Sequence, residues 1–93
     1  AAQVMFVNFG AKEEQYCLPL VARLRAEGIS SELYPDSDKM KKQMNYANRK
    51  GIKFVALIGE SELESGLINF KNMESGEQQL VSIDDVVSQL KGL

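Results

Sequence analysis

Three glutamates at alternate positions, Glu60, Glu62 and Glu64, follow Gly59 directly after an apolar run, and Lys71 ends a short alternating segment a few residues on. An ionised carboxylate only accepts hydrogen bonds. It therefore suits the free backbone N–H groups that open a helix, or the N–H edge of a ligand. A guanine Watson–Crick edge offers two such donors, N1–H and N2–H, and an unpaired loop base exposes that edge. A neighbouring lysine would hold a phosphate or a base oxygen and offset the carboxylate charge. For Glu60, Glu62 and Glu64 the residues alone leave capping and base reading equally open.

The cations are segregated from these acids. Six of them, Lys39, Lys41, Lys42, Arg49, Lys50 and Lys53, lie between Lys39 and Gly59 with no acid among them, although the whole chain has a net charge of −2. Charges more than roughly 8–10 Å away are largely screened at physiological salt, so the local excess matters more than the total. On a helical wheel Lys39, Gln43, Tyr46 and Lys50 form one stripe beside Met40, Met44 and Ala47, while Lys41, Lys42, Asn45 and Arg49 point outward. Such a helix can lay cations along a sugar–phosphate backbone, with Tyr46 or Tyr34 to stack a base. A plain solvated amphipathic helix has the same pattern.

Other chemistry is poorly supplied. The chain has no histidine and one cysteine, Cys17, which removes the commonest general base, any His/Cys metal cluster and an internal disulfide. A lone thiol fits a reducing, cytoplasmic setting. No C-x-x-C, G-x-G-x-x-G or P-loop pattern occurs, and a phosphorelay receiver would need acids where Asn8 and Gly59 stand. The 93 residues suffice for one domain, and no apolar run approaches membrane-spanning length. A self-sufficient enzyme is not expected.

Positioning these groups falls to alternating strands and helices. Val4–Phe9 reads as a strand stopped by Gly10, and Lys12–Glu27 as a helix with Tyr16, Cys17, Leu20, Val21 and Leu24 on its apolar stripe. Pro19 within it predicts a late start or a bend. Ile29–Tyr34 is the second strand. Asp36, Ser37 or Asp38 can cap the second helix, Asp38–Lys50. Lys53–Ile58 reads as a strand buried on both faces, followed by a short helix or turn. Leu67–Lys71 and Gln78–Ser82 form a hairpin about Glu74-Ser75-Gly76, and Ser82 caps a final helix, Ile83–Leu90. Two βαβ crossovers plus a hairpin predict a three-layer α/β/α sandwich.

The run from Gly28 to Val86, with LRAEGI before it, KKQMNYA on the second helix, and IGESEL followed by FKNMESGEQ, resembles a known family. It is similar to the carboxy-terminal anticodon-binding domain of class IIa aminoacyl-tRNA synthetases, bacterial histidyl-tRNA synthetases in particular. The resemblance spans about Val4 to Leu90. It implies a five-stranded mixed sheet in the order 2-1-3-4-5 with strand 4 antiparallel. It also implies one domain, residues 1–93, cut from a larger synthetase, the two leading alanines being either its start or an addition. The implied partner is the anticodon stem-loop of tRNA(His), and the implied base contacts are Glu62 of the G-x-x-E turn and Lys71 on the next strand. The start of the second helix, Ser37 to Gln43 with Lys39 and Lys42, would contribute; Tyr46 joins the expected set from its place on that helix. No cofactor is implied for this domain; ATP and Mg2+ would serve the catalytic domain of a cytoplasmic, homodimeric histidine–tRNA ligase. The class II catalytic motifs are absent from these residues, so the domain alone would not aminoacylate. The same domain occurs in synthetase-like paralogues, such as a regulatory subunit of histidine biosynthesis, where it would serve protein interaction; Glu62 with Lys71 favours the synthetase.

Overall fold

A computed structural model describes residues 2–92 of the chain. The elements run β1 (Val4–Phe6), α1 (Ala11–Ala26), β2 (Ser31–Leu33), α2 (Met40–Arg49), β3 (Phe54–Leu57), α3 (Glu60–Ser65), β4 (Ile68–Asn72), β5 (Gln78–Val81) and α4 (Ile83–Lys91). The strands form one sheet in the order β2-β1-β3-β4-β5. β1 pairs in parallel with β2 and β3, and β4 runs antiparallel to β3 and β5, as expected.

Successive side chains of a strand point to opposite faces, so the apolar runs feed two cores. Val4, Phe6, Ala56, Ile58, Ile68 and Phe70 meet Cys17, Val21 and Leu24 of α1 and Val86 and Val87 of α4. On the other face Met5, Val7 and Val55 meet Ala47 of α2, with Met40 and Met44 packed around them. Burying a side chain of this size contributes about 1.5–3 kcal/mol. Cys17 belongs to the first core: burial, aided by Glu13 and Glu14, pushes its thiol up to about 12, so it stays protonated and acts as a small apolar residue. α4 is opened by Ser82, whose Oγ accepts from the Asp85 amide at 3.0 Å. It is tied to α1 by Arg23–Asp84 at 2.9 Å and Lys91–Glu27 at 3.1 Å.

Three local expectations are revised. α1 starts at Ala11 and continues through Pro19 to Ala26, with Pro19 on its exposed side. There water can serve the Gln15 carbonyl that the proline ring leaves without a donor. Pro19→Ala, which restores the N–H, is expected to raise stability by about 1–3 kcal/mol in a denaturant titration; an unchanged midpoint would mean the helix gains nothing from that bond. α2 begins only at Met40, and its first turn receives no side-chain cap. Asp38 is occupied otherwise, accepting from the Tyr34 hydroxyl at 3.1 Å and pairing with Lys42 at 3.4 Å. β1 ends at Phe6 rather than Phe9, because the Asn8 amide leaves the ladder for the Gln43 side chain.

Candidate nucleic-acid interface

The segment Asn8-Phe9-Gly10, just beyond the carboxyl end of β1, is the centre on which the site is assembled. Open α/β sheets bind ligands at this edge. Asn8 is buried, and its side chain donates to Glu14 at 2.7 Å and to the Tyr34 carbonyl at 3.0 Å, while its Oδ1 accepts from the Gly10 amide at 2.9 Å. Gly10 has a φ of +139°, a region that favours glycine. These bonds fix where the chain turns from β1 into α1.

α2 is docked to this segment by Gln43. The side chain is 1% exposed; its Oε1 accepts from the Asn8 amide at 2.9 Å, and its Nε2 donates to the carbonyls of Asn8 at 2.9 Å and Asp38 at 2.8 Å. Both amide protons are therefore committed inside the protein. Gln43, expected among the RNA contacts, has its side-chain amide committed to docking α2 on this segment. On the wheel it sits beside the apolar stripe, and the polar tip is buried because the amide and carbonyl of distant Asn8 and the carbonyl of nearby Asp38 need it.

On the other side of Phe9 lies the glutamate turn. The Glu62 carboxylate bends back so that Oε1 accepts from the Gly59 amide at 2.8 Å. The cap bond therefore falls to Glu62 itself, while Glu60 and Glu64 are exposed. Capping and base reading do not compete for this group. Among the described residues its Oε2 has no hydrogen-bond partner, so one oxygen anchors the carboxylate and the other remains available.

The outer side of α2 forms a groove of about 320 Å³ lined by Tyr34, Lys39, Lys41, Lys42, Asn45, Tyr46 and Arg49. It gathers Lys39, Lys42 and Tyr46 from the expected set. Among the described residues only Lys42 of its four cations is ion-paired, with Asp38 at 3.4 Å, so the groove carries uncompensated positive charge. Tyr34 is only 8% exposed, and its ring meets Tyr46 edge-on at 5.3 Å. Burial and the hydrogen bond to Asp38 push its phenol up, so it stays neutral and structural. Lys50 lies 5.9 Å from the Tyr46 ring centre, a cation–π distance.

Ser37 and Lys71 stand apart from this groove. Ser37 is exposed and lines a shallow hollow with Asn8, Gly10, Glu14 and Asp36, whose two acids make it unfriendly to phosphate. Lys71 pairs with Val55 and Gln78, which puts it on the face of the sheet that α2 covers. The register places it four residues before Gly59 along β3, roughly 13 Å of strand. Among the described residues it makes no ion pair with Glu62. Lys71 thus stands back along the sheet from the turn that carries Glu62.

Sequence reasoning missed Phe9. It is 45% exposed, and of the chain's aromatic residues it alone is exposed among those described. The signal was present: an aromatic between the last buried residue of a parallel strand and the glycine opening the next helix sits at the ligand-binding edge.

Similarity to known proteins agrees with this geometry. The chain matches histidine–tRNA ligase of Phocaeicola vulgatus at 51% identity over 89 residues, 96% of this chain and 20% of that protein. It matches histidine–tRNA ligase of Bacillus velezensis at 44% over 85 residues, 91% of this chain and 20% of that protein. The chain thus spans about a fifth of these relatives. The crystal structure of histidyl-tRNA synthetase from Nostoc sp. PCC 7120 superposes with a TM-score of 0.90 at 28% identity, covering 98% of this chain and 22% of that one. The Staphylococcus aureus enzyme gives 0.85 at 34%, covering 97% and 23%. The profile of the anticodon binding domain fits residues 3–93. With residues 3–93 matched, the chain belongs to the anticodon-binding-domain family.

Proposed function

We propose that this domain binds the anticodon stem-loop of tRNA(His), with the α2 groove on the sugar–phosphate backbone and the Gly59–Glu62 turn at an unpaired base. The observation that carries the reading is the groove of Lys39, Lys41, Lys42 and Arg49, of which only Lys42 is ion-paired among the described residues, on a chain whose net charge is −2. A strongly charged groove on an otherwise acidic domain has an anionic ligand as its natural occupant. Glu62 accepts from the base edge, Lys71 meets a neighbouring nucleotide, and Lys39, Lys42 and Tyr46 follow the backbone. Ser37 lies at the rim, and Gln43 holds α2 in place.

In this reading residues 1–93 form one domain of a longer cytoplasmic histidine–tRNA ligase. Its catalytic domain uses ATP with Mg2+, and the parent is a homodimer. The identity to named histidine–tRNA ligases supports this placement. No helix among the described residues is long and apolar enough to cross a membrane.

The phosphate role makes a salt prediction. Each neutralised phosphate contributes about 0.7 to the slope of log K against log salt on single strands, so four cations predict a slope near −3 and a loss of roughly 60-fold between about 50 and 200 mM. Arg49→Ala should flatten that slope by about 0.7 and weaken cognate and swapped loops alike. Affinity that does not change with salt would remove the groove from the binding account.

A further inference from the structure

Phe9 has no part in either core, yet it occupies the middle of the site. A methyl group on Gly59 would lie 3.5 Å from Oε1 of Glu62 and 3.9 Å from Cδ2 and Cε2 of Phe9, so ring and carboxylate flank the same backbone position. One edge of the ring meets the turn, and the residue remains 45% exposed. Its neighbour Asn8 is held through backbone and side chain by Gln43, Glu14 and Tyr34, which fixes the base from which the ring projects. α2 docks on the residue before it through Gln43, and Lys39 precedes the first turn of that helix.

We propose that Phe9 is the stacking platform for the unpaired base whose edge meets Glu62. The proposal deepens the anticodon reading and rests on it. A flat aromatic face accepts any base, and a hydrogen-bond acceptor at its rim selects among them. Here the acceptor is Oε2 of Glu62, because Oε1 is held by the Gly59 amide. The charges decide how the strand enters. Glu13 and Glu14 stand in the first turn of α1 and repel phosphate, whereas Lys39 and the groove beyond it attract phosphate. The base therefore lies on Phe9 with its sugar–phosphate leaving toward α2. Tyr34 is buried and bonded to Asp38, and Tyr46 has Tyr34 against it and Lys50 near its ring, so neither offers a comparable open ring.

The chain contains no tryptophan, so Phe9→Trp introduces a single reporter. Titrated with a synthetic tRNA(His) anticodon stem-loop, Phe9→Trp should bind within about twofold of the unsubstituted chain and lose most of its tryptophan emission as a base stacks on it. Phe9→Ala and Phe9→Leu should each weaken binding by roughly tenfold at unchanged thermal stability. An abasic site at the stacked position should weaken the unsubstituted chain by a similar factor and leave Phe9→Ala unaffected. If Phe9→Ala binds as tightly as the unsubstituted chain while the latter still discriminates anticodons, the stacking role is overturned and the anticodon reading stands. If Phe9→Leu binds like the unsubstituted chain and the tryptophan is not quenched, the ring is an apolar contact for protein and the proposal fails. If the unsubstituted chain does not distinguish loops at all, the anticodon reading and the proposal fall together.

Discussion

Glu62→Gln is expected to keep the fold and lose the base. A glutamine carbonyl can still accept from the Gly59 amide, as the 2.8 Å bond from Oε1 does now, so the start of α3 should remain capped. The second carboxylate oxygen becomes an amide NH2, which presents donors to the donors of a guanine edge. Affinity for the cognate loop should fall by about 1–3 kcal/mol, roughly 5- to 150-fold, with base preference relaxed. Glu62→Ala should show the same binding loss and in addition lose about 1 kcal/mol of stability, because the Gly59 amide is left without its partner. Calorimetric melting beside loop-binding titrations separates the two effects. Equal binding of cognate and swapped loops by the unsubstituted chain and Glu62→Gln would show that the carboxylate is a cap alone.

Gln43→Leu should be the most destabilising of the substitutions considered. The apolar replacement has similar bulk but strands the Asn8 amide, the Asn8 carbonyl and the Asp38 carbonyl, each now bonded to Gln43. A buried polar group left unpaired costs about 1–3 kcal/mol, and Asp38 is close enough to solvent to find water, so a total near 3 kcal/mol is expected. For a domain of this size that lowers the melting temperature by about 12–24 °C. RNA affinity should fall as well, because α2 loses its tie to the loop that carries Phe9. A loss below about 1 kcal/mol would mean that this buried network contributes little to holding the helix.

These two residues show what could be read from the chain and what could not. Periodicity placed Cys17, Val21 and Leu24 in the core and Met40, Met44 and Ala47 on the buried side of α2, because apolar stripes declare themselves locally. The hairpin of β4 and β5 was legible from its turn, but the strand order came through resemblance, since those pairing partners lie far apart in sequence. Gln43 had the look of an exposed polar residue on a basic helix. Two of its three bonds go to Asn8, 35 positions away, and nothing in its own neighbourhood announces them. The same long-range bond explains why β1 stops short of Phe9, whose exposure then follows.

Glu62 teaches the complementary lesson. The residues alone left capping and base reading open for it, and the resemblance marked it as a base contact; the geometry gives one oxygen to the cap and leaves the other without a partner among the described residues. Lys71 was expected beside it, but its register opposite Val55 sets it well down the sheet. One-dimensional closeness to the turn hid that separation, because an antiparallel strand carries its residues back away from the edge where it began.

The most direct measurement compares two stem-loops on the unsubstituted chain at about 150 mM salt. One carries the histidine anticodon, and the other is identical except that the anticodon guanines are replaced by adenine, which lacks the N1–H donor. The account predicts at least tenfold tighter binding of the first, as a carboxylate acceptor at the base edge requires. Equal affinity for the two would contradict it.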